Sequence, residues 1–466
     1  MPPKKMYTAC VVGCSRMGAF IDNEIPLQEV APMDAAPDEP VSTLGTPMRI
    51  KSTDWLPMGH SAAYEACDRV DLVAGCDIRP DVLAKWGERF GVPPERLYTD
   101  YKTMMQEMQP DIVSVCTQPE HRAEILIWAA EHGVRALFPE KAFAASFDEA
   151  QAVVAAATAN DVVVNMGTLR RYEQGYDAAH ELIHSGKLGK LKTIIAHSTA
   201  NLFNGSSHTF DAVNRLNGDA RPISIMGELQ LTNTGTRPRS DKHASTPLVE
   251  LPDGTTRPLL DKDETGANIL RSDPVGHGIV EYENGVTAYM LNSGRGTEFE
   301  AICERGIVSA WNDGETWRLR EPRGIHQLAE DQRAKWTGSQ FDQSPNLEIG
   351  PRRSATLNCI YDLVNALDHP GVSPRGGEHG SVPLGNSELI FGLIESHARG
   401  GAKVALPLAG SDHGHWRLAR QGLEGNLPRF EREDEGGRTG RGREIPTEEQ
   451  LQEVVAEQLA TVTAKL

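Results

Sequence analysis

The chain has 466 residues, 39% of them hydrophobic and 24% charged, which predicts a folded protein of about two to four domains rather than a disordered one. Asp and Glu (65) outnumber Lys and Arg (47), and the formal charge of −18 argues against a nucleic-acid or anionic-membrane partner. The sequence contains neither a run of about 18 apolar residues nor the long apolar stretch of a signal peptide. We therefore expect a cytoplasmic protein, which agrees with scattered cysteines that suit reduced thiols.

The first 170 residues alternate short apolar runs with stretches of helical periodicity. Apolar strands separated by helices are typical of a doubly wound parallel sheet, so we predict an α/β domain over residues 1–169. The predicted strands are Tyr7–Val12, Val70–Cys76, Ile112–Cys116, Ala136–Phe138 and Val162–Asn165, and the predicted helices are Pro80–Phe90, Tyr101–Met108, His121–His132 and Ser146–Ala159.

An insertion at residues 22–58 interrupts this domain where the first crossover helix is expected. It contains six prolines and seven acidic residues and shows no clean periodicity. A structureless insertion of this length is usually functional or an oligomer contact. A surface excursion without a role is the alternative, and the sequence favours neither.

A second domain is predicted over residues 170–410. Alternating runs, two of them joined at a type I′ hairpin signal, Asn284-Gly285, indicate an antiparallel, open-faced sheet in an α+β domain. Residues 225–275 are polar and turn-rich, and we expect a long loop over the sheet there. The predicted strands are Gly278–Tyr282, Val286–Asn292, Phe299–Cys303, Ile307–Trp311, Thr316–Leu319 and Lys403–Leu406, with helices at Gln174–Ser185, Ser354–Asp368 and Ser387–Arg399.

The remaining residues, 411–466, form a polar tail. A capping box at Thr447–Gln450 predicts a terminal helix with one apolar stripe. Because this stripe and the open face of the sheet both need cover, we expect a homo-oligomer, a dimer or a tetramer.

A glycine-rich turn follows the first strand and predicts a dinucleotide site. Gly13-Cys14-Ser15-Arg16-Met17-Gly18 has the spacing of the G-x-G-x-x-G fingerprint, with Ser15 at the second glycine. Its glycines permit a tight turn and a close approach of the backbone to a pyrophosphate. Asp77 ends the second strand, where a carboxylate accepts hydrogen bonds from an adenosine ribose and favours NAD. Arg16 and Arg79 keep NADP possible.

Two further strand ends carry polar side chains at the edge of the sheet where ligands bind. After the third strand, Thr117 can bond a ribose, Pro119 fixes the turn, and His121 follows in the first turn of a helix. After the fourth strand, Glu140 and Lys141 face the same crevice, where a lysine can hold nicotinamide or polarise a substrate hydroxyl. For His121, a helix-entry residue without a functional role is an equally good interpretation.

The second domain supplies a histidine with a carboxylate three residues later. His208 and Asp211 lie on one face if a helix begins at His208, so the imidazole gains a carboxylate that orients it. Without any family context, a helix-start histidine satisfied by Asp211 is the commoner arrangement. Neither the cysteines nor any histidine spacing predicts a zinc site, so no metal is expected.

The order of these motifs resembles the glucose–fructose oxidoreductase/inositol dehydrogenase (Gfo/Idh/MocA) family from Tyr7 to about Leu408, apart from the insertions. The resemblance implies a Rossmann domain followed by a predominantly antiparallel open-faced sheet. In that family a Glu-Lys-Pro motif supplies a lysine that contacts nicotinamide and substrate, and it maps to Glu140 and Lys141. The family's catalytic histidine maps to His208, with Asp211 as the aspartate after it.

Three further positions complete the resemblance. Arg170 begins an Arg-Arg-Tyr segment similar to the family's Arg-aromatic motif at the domain junction. Ala142 replaces the proline of the Glu-Lys-Pro motif. Asn204 stands where many members carry an aspartate that pairs with the lysine and the histidine, and an asparagine can only orient its neighbours.

The resemblance implies an NAD(P)-dependent dehydrogenase that moves a hydride from a ring hydroxyl carbon of a sugar, glycoside or cyclitol to nicotinamide. We expect His208 as general acid/base, Lys141 as polariser and Asn204 as orienter, with Asp211 behind the histidine. The alternatives are a redox-neutral glycoside-cleaving enzyme that retains NAD and a non-catalytic nucleotide-binding regulator.

Overall fold

A computed structural model of the chain describes residues 6–24, 56–198, 201–230, 248–250, 254–293, 298–311, 316–320, 354–409 and 413–419. The predicted capping box at Thr447–Gln450 and its apolar stripe lie outside the described residues, as does most of the insertion at 22–58. Within these ranges, no helix is both long and apolar enough to cross a membrane.

The amino-terminal half of the chain builds a six-stranded parallel sheet, as predicted. The missed edge strand, Leu97–Tyr98, is too short to show a pattern in the sequence. In chain order the strands are β1 (Tyr7–Val12), β2 (Val70–Cys76), β3 (Leu97–Tyr98), β4 (Ile112–Val115), β5 (Ala136–Pro139) and β6 (Val163–Val164), arranged as β3-β2-β1-β4-β5-β6. The helices are α1 (His60–Glu65), α2 (Pro80–Phe90), α3 (Tyr101–Met108), α4 (Pro119–Glu131) and α5 (Phe147–Ala159).

Helices cover both faces of this sheet. All four residues of β4 are buried, which explains why the strand reads as a continuous apolar run rather than an alternating one. Trp86 of α2 packs with one face, and Leu126 of α4 and Val153 of α5 pack with the other. The carboxyl ends of the parallel strands are therefore left as the open edge.

The two ends of the insertion at 22–58 are held together by one buried carboxylate, that of Asp22. Asp22 is 1% exposed, and its Oδ1 accepts hydrogen bonds from the backbone N–H groups of Met58 (2.9 Å) and Gly59 (2.7 Å). Gly59 is the N-cap of α1, so Asp22 binds the two backbone amides directly before that helix. The expected crossover helix is thus split, and α1 forms its second part.

The second half of the chain contains an eight-stranded mixed sheet that is antiparallel at every described pairing except β7 with β14. Its order is β17-β16-β15-β7-β14-β13-β8-β18. The strands of the eight-stranded sheet are β7 (Leu191–His197), β8 (Pro222–Gln230), β13 (Val275–Tyr282), β14 (Thr287–Leu291), β15 (Glu298–Cys303), β16 (Gly306–Trp311), β17 (Thr316–Arg320) and β18 (Val404–Ala405). Five further described strands lie outside it: β9 (Leu248–Glu250), β10 (Thr256–Pro258), β11 (Leu260–Lys262), β12 (Asn268–Leu270) and β19 (Arg417–Leu418).

The expectation of a long loop over residues 225–275 is wrong in its described parts. β8 extends through Gln230 and pairs with β13 along its length. β9 and β10 form a separate hairpin, and β11, β12 and β19 form a three-stranded sheet. Except for β8, these strands are three residues long or shorter, and β10 and β11 contain exposed polar residues, so the sequence resembles turns there.

Helices cover one face of the large sheet. They are α6 (Gln174–His184), α7 (Ser207–Leu216) and α9 (Ser381–Ala398), whose side chains share a core with the sheet. The remaining helix, α8 (Ala355–Asp368), packs instead into the Rossmann core, where Ile360 and Leu363 lie in one cluster with Tyr7 and Trp86. The core of the Rossmann domain is therefore not formed by residues 1–169 alone, because α8, from much later in the chain, packs in it.

Candidate active site

The turn after β1 brings the first and third glycines of the fingerprint into contact. Gly13 has a φ of 89°, and a Cβ added there would lie 3.1 Å from the backbone of Cys116 and of Thr117. A Cβ added at Gly18 would lie 1.9 Å from the carbonyl oxygen of Gly13, so a side chain requires the backbone to move. This turn has the bare backbone that a pyrophosphate needs for close approach.

The segment after the turn is shorter than a regular crossover helix. Ser15 precedes a five-residue π-helical segment, Arg16–Phe20, which contains Met17 and Gly18. Ser15 makes no side-chain cap bond to this segment. Its backbone carbonyl accepts hydrogen bonds from the amides of Ala19 (2.8 Å) and Phe20 (3.2 Å).

Asp77 connects the end of β2 to the glycine turn. Its carboxylate accepts hydrogen bonds from the backbone N–H groups of Cys14 (2.8 Å) and Arg79 (3.0 Å). Burial raises the pKa of Asp77, against the lowering effect of these two amides. The side chain of Arg79 is paired with Asp81, with its Nε 3.2 Å from the carboxylate.

The turn after β4 is held by a buried arginine that the sequence analysis missed. Arg122 is 2% exposed and donates hydrogen bonds to the carbonyl oxygens of Thr117 and Ala142, which follow neighbouring strands. The hydroxyl of Thr117 is buried without a hydrogen-bond partner among the described residues. Pro119 begins α4 and is buried, whereas the side chain of His121 is exposed on that helix.

Glu140 at the end of β5 is buried and held by a second missed residue, His60. Its Oε1 lies 3.1 Å from His60 Nε2, and His60 Nδ1 lies 2.9 Å from Ser114 Oγ. The imidazole stacks on Phe138 with ring centroids 4.0 Å apart. Burial favours a higher pKa for Glu140, but the His60 hydrogen bond and the Lys141 charge outweigh it, and the pKa is lowered.

Lys141 connects the two domains. Its Nζ donates a hydrogen bond to Asn204 Oδ1, at 2.5 Å, and the Lys141–Ala142 peptide bond is cis. Burial, strengthened by the charges of Arg16 and Arg170 and opposed by Glu140, lowers the pKa of Lys141 to about 8. The amine therefore titrates close to neutral pH.

Asn204 is positioned by a carboxylate from the second domain. It lies in a π-helical segment, Leu202–Ser206, directly before α7. Asp273 is 8% exposed, and its carboxylate accepts hydrogen bonds from the backbone N–H groups of Phe203 (2.8 Å) and Asn204 (3.1 Å). These two hydrogen bonds fix the turn that presents the side-chain amide of Asn204 to Lys141.

His208 lies one residue inside α7 and is 8% exposed. Its Nδ1 is buried and finds no hydrogen-bond partner among the described residues. Burial and the nearby positive charges of Arg170 and Lys141 lower the pKa of His208 well below its usual value. The imidazole is therefore neutral at physiological pH and has an unused polar nitrogen.

The prediction that Asp211 orients His208 is wrong. The two residues share α7, but the Asp211 carboxylate accepts hydrogen bonds from Arg171 Nε (3.0 and 3.2 Å) and from the Asn386 side chain (2.9 Å). Arg171 also binds Asp219 at 2.9 and 2.8 Å. Asp211 and Arg171 are 0% and 1% exposed, so the carboxylate compensates a buried guanidinium rather than an imidazole.

The residues that sequence reasoning missed are His60, Arg122 and Asp273. Each is a buried polar group, and His60 and Asp273 lie far along the chain from the groups that they hold, whereas Arg122 binds carbonyl groups 5 and 20 residues away. His60 follows the insertion and is the first residue of the six-residue helix α1, where it is buried. A polar residue at that position was the one feature of the sequence that could have pointed to it. Arg122 and Asp273 carry no motif that could have identified them.

The Rossmann region matches a known family. Residues 57–168 match the model of an oxidoreductase family described as having an NAD-binding Rossmann fold, the Gfo/Idh/MocA family. Over these residues the chain is similar to that family. NAD is the cofactor that the family's Rossmann fold binds, in agreement with the prediction from the glycine turn and Asp77.

Relatives of the Gfo/Idh/MocA region are sugar and cyclitol dehydrogenases. A D-apiose dehydrogenase of Paraburkholderia graminis is 32% identical over 131 residues, which is 28% of this chain and 34% of that protein. An inositol 2-dehydrogenase of Salmonella typhimurium is 27% identical over 122 residues, which is 26% of this chain and 36% of that protein. The chain thus spans about a third of the length of these relatives.

The similarity in fold extends over both domains. The crystal structure of an inositol dehydrogenase homologue from Azotobacter vinelandii, in complex with NADH and myo-inositol, has a TM-score of 0.57 to this chain. The superposition covers 86% of this chain and 98% of that one at 17% identity. The predicted combination of a Rossmann domain with a largely antiparallel sheet is therefore confirmed as a fold.

Proposed function

We propose that this protein is an NAD-dependent dehydrogenase that oxidises a ring hydroxyl of a sugar, glycoside or cyclitol. One observation carries the proposal: Lys141 of the cofactor-binding domain is hydrogen bonded to Asn204 of the second domain, close to His208. A titratable amine and a neutral imidazole with a free nitrogen thus converge at the open edge of a nucleotide-binding sheet.

The residues present fit NAD. The bare turn at Gly13 and Gly18 admits a diphosphate, and the buried Thr117 hydroxyl has a bonding capacity that a ribose or nicotinamide group can use. Asp77 at the end of β2 favours NAD over NADP, because a carboxylate there repels a 2′-phosphate. Arg79, the arginine next to it, is paired with Asp81.

The two titratable groups have different roles in this proposal. A general base works best when its pKa lies near the working pH, and Lys141, with a pKa of about 8, meets that condition better than His208. We therefore revise the expected roles: Lys141 accepts the hydroxyl proton, and His208 Nδ1 receives a hydrogen bond that holds the substrate. Asn204 orients the amine, and Arg170 adds positive charge beside the developing alkoxide.

The reaction balances with these groups. The turn at Gly13 and Gly18 would hold NAD, which would supply the hydride acceptor needed to oxidise the alcohol to a ketone. The neutral amine of Lys141 takes the hydroxyl proton and becomes an ammonium. Glu140 stabilises that ammonium, since its charge raises the pKa of Lys141. The proton leaves to solvent when the amine returns to its neutral form.

The relatives favour net oxidation over the two alternatives, a redox-neutral glycoside cleavage and a non-catalytic regulator. A binding module has no need of an amine whose pKa is held near 8 beside a neutral imidazole. Which sugar or cyclitol is used depends on the segments around the crevice, of which 25–55 and 231–247 lie outside the described residues.

The test is an NADH assay with the purified chain, NAD and a panel of cyclitols, aldoses and anhydrosugars. We expect NADH formation with at least one compound and NAD binding measurable by calorimetry. NAD binding without NADH from any compound, combined with release of sugar from a glycoside, would replace this proposal by the redox-neutral one. Absence of NAD binding would contradict both.

We also propose that the open face of the large sheet is covered by a second copy of the chain. One row of residues crosses four neighbouring strands on this face: Met226, Ile279, Tyr289 and Ile195 are paired in register. Tyr289 is 38% exposed, which is high for an aromatic side chain. Light scattering on the wild type and on Tyr289→Glu tests this, with a larger species expected for the wild type.

A further inference from the structure

A short segment near the end of the described chain joins the two domains. The backbone N–H of Leu418 donates to the carbonyl of Ala145 (2.8 Å), before α5, and that of Ala419 donates to the carbonyl of Leu270 (2.8 Å), in β12. The side chain of Arg417 is paired with Glu149 of α5 at 2.9 Å. Residues 413–419, which we call the bridging segment, are therefore fixed on both sides.

Two histidines of the bridging segment face one carboxylate of α5. His413 Nε2 lies 3.3 Å from Asp148 Oδ1, and His415 Nδ1 lies 2.9 Å from Asp148 Oδ2. One donor atom from each of the three residues lies within 4.8 Å of the other two, and the two rings are 4.3 Å apart. Within the described residues this is the one group of three such side chains close enough to share an ion.

The hydrogen bonding of this cluster is incomplete. His413 is 8% exposed, and its Nε2 makes no hydrogen bond within the described residues, although it points at the carboxylate. Buried polar nitrogens in native proteins normally make a hydrogen bond of good geometry, which the contact with Asp148 does not provide. The edge of Phe147 packs against the ring at a centroid distance of 5.5 Å and fixes its orientation.

We propose that Asp148, His413 and His415 form a binding site for a divalent transition metal of the zinc class. Two imidazole nitrogens and one carboxylate oxygen are typical ligands of Zn²⁺. At zinc bond lengths of about 2.0–2.2 Å, ligand atoms of a tetrahedral site lie about 3.3 Å apart, close to the separations seen here. This proposal departs from the sequence analysis, which found no zinc site in the cysteines or in any histidine spacing and therefore expected no metal.

The location of the site defines its role. The histidines belong to the bridging segment and Asp148 to the first turn of α5, so an ion bound here ties the segment to the Rossmann domain. The side chains of His415 and Asp148 are 65% and 47% exposed, which leaves the outer side open to water as a fourth ligand. The site is thus structural, and zinc is expected to stabilise the fold rather than take part in hydride transfer.

The experiment is a zinc titration of the full-length chain after treatment with a chelator and removal of any affinity tag. We expect the wild type to bind one more equivalent of Zn²⁺ than His415→Ala and Asp148→Asn, and its melting temperature to rise with zinc. His369→Ala removes an exposed histidine elsewhere and serves as the matched control, which should retain the extra equivalent. Because His415 is largely exposed, its substitution should not prevent folding.

A spectroscopic variant gives a second test. Co²⁺ added to His415→Cys should show a sulfur-to-cobalt charge-transfer band that the wild type lacks, because a thiolate then replaces one imidazole at the ion. Equal zinc stoichiometry and equal melting shifts in the wild type and both site variants would overturn the proposal and leave a hydrogen-bonded His-Asp-His cluster. Neither readout depends on enzymatic activity, so the outcome is independent of the proposed function.

Discussion

The nucleotide end and the chemical end of the crevice are built in different ways. The nucleotide end is mostly local: Gly13 and Gly18 contact each other within a single turn, which Asp77 and Thr117 border from the ends of β2 and β4. At the chemical end, Lys141 meets Asn204 across 63 positions, and His60 meets Glu140 across 80. A turn can be encoded by a short motif, whereas an acid–base site needs groups that the topology brings together.

The largest expected effect is at the amine. Lys141→Met should lower kcat by about 10²–10⁴-fold, the usual contribution of a positioned general acid or base. Lys85→Met, on the exposed face of α2, is the control and should retain full activity. Steady-state rates with the best substrate of the panel measure the difference, and a kcat within threefold of wild type would remove Lys141 from the chemistry.

The next largest effect concerns the carboxylate behind α7. Arg171→Met leaves Asp211 buried without its compensating charge, and should lower the free energy of unfolding by about 3–5 kcal/mol. Arg221→Met breaks an exposed pair with Glu283, 58% and 47% exposed, and should cost about 0–1 kcal/mol. Urea denaturation followed by tryptophan fluorescence compares the two, and equal losses would contradict the structural role assigned to Asp211.

A smaller effect tests the nucleotide end by itself. Gly18→Ala places a Cβ against the carbonyl of Gly13 and should weaken NAD binding at least tenfold, or about 1.4 kcal/mol. Gly385→Ala lies within α9 with no atom near the added methyl group, and should leave NAD affinity unchanged. Isothermal titration calorimetry with NAD measures both affinities. Tight binding by Gly18→Ala would show that this turn does not bind the diphosphate of NAD.

The smallest effect is a displacement of the pH profile. Glu140 raises the pKa of Lys141, so Glu140→Gln should lower that pKa by about one unit and move the activity profile to lower pH. Glu88→Gln, an exposed carboxylate on α2, should leave the profile where it is. An unchanged profile in Glu140→Gln would mean that another group controls the pH dependence.

These contrasts explain what could be predicted from the sequence. The strands of the first domain were predictable because a parallel strand covered on both faces is apolar throughout. The short strands between 248 and 270 were not, because each has only three residues, and the exposed polar residues of β10 and β11 resemble a turn. The loop expected there is the clearest error in the predicted fold.

In the candidate site, too, some residues were predictable from the sequence and others were not. Lys141, Asn204 and His208 were identified from motif order, and the structure brings Lys141 and Asn204 into contact. His208 was the wrong partner for Asp211. Spacing along a helix shows which residues share a face, but it does not show which side chain of another element binds a carboxylate on that face. Arg171, just before α6, pairs with Asp211 because its buried guanidinium needs a compensating negative charge.

The central claim is that Lys141 exchanges the proton of the reaction, and the pH dependence of kcat/KM for alcohol oxidation tests it most directly. With a pKa lowered to about 8, the amine is protonated and inactive as a base at lower pH. The account predicts that kcat/KM rises with pH and levels off above an inflexion near pH 8. An inflexion well below the usual histidine pKa of 6.5, where the neutral form of His208 would be lost, would contradict it and assign the proton to the imidazole.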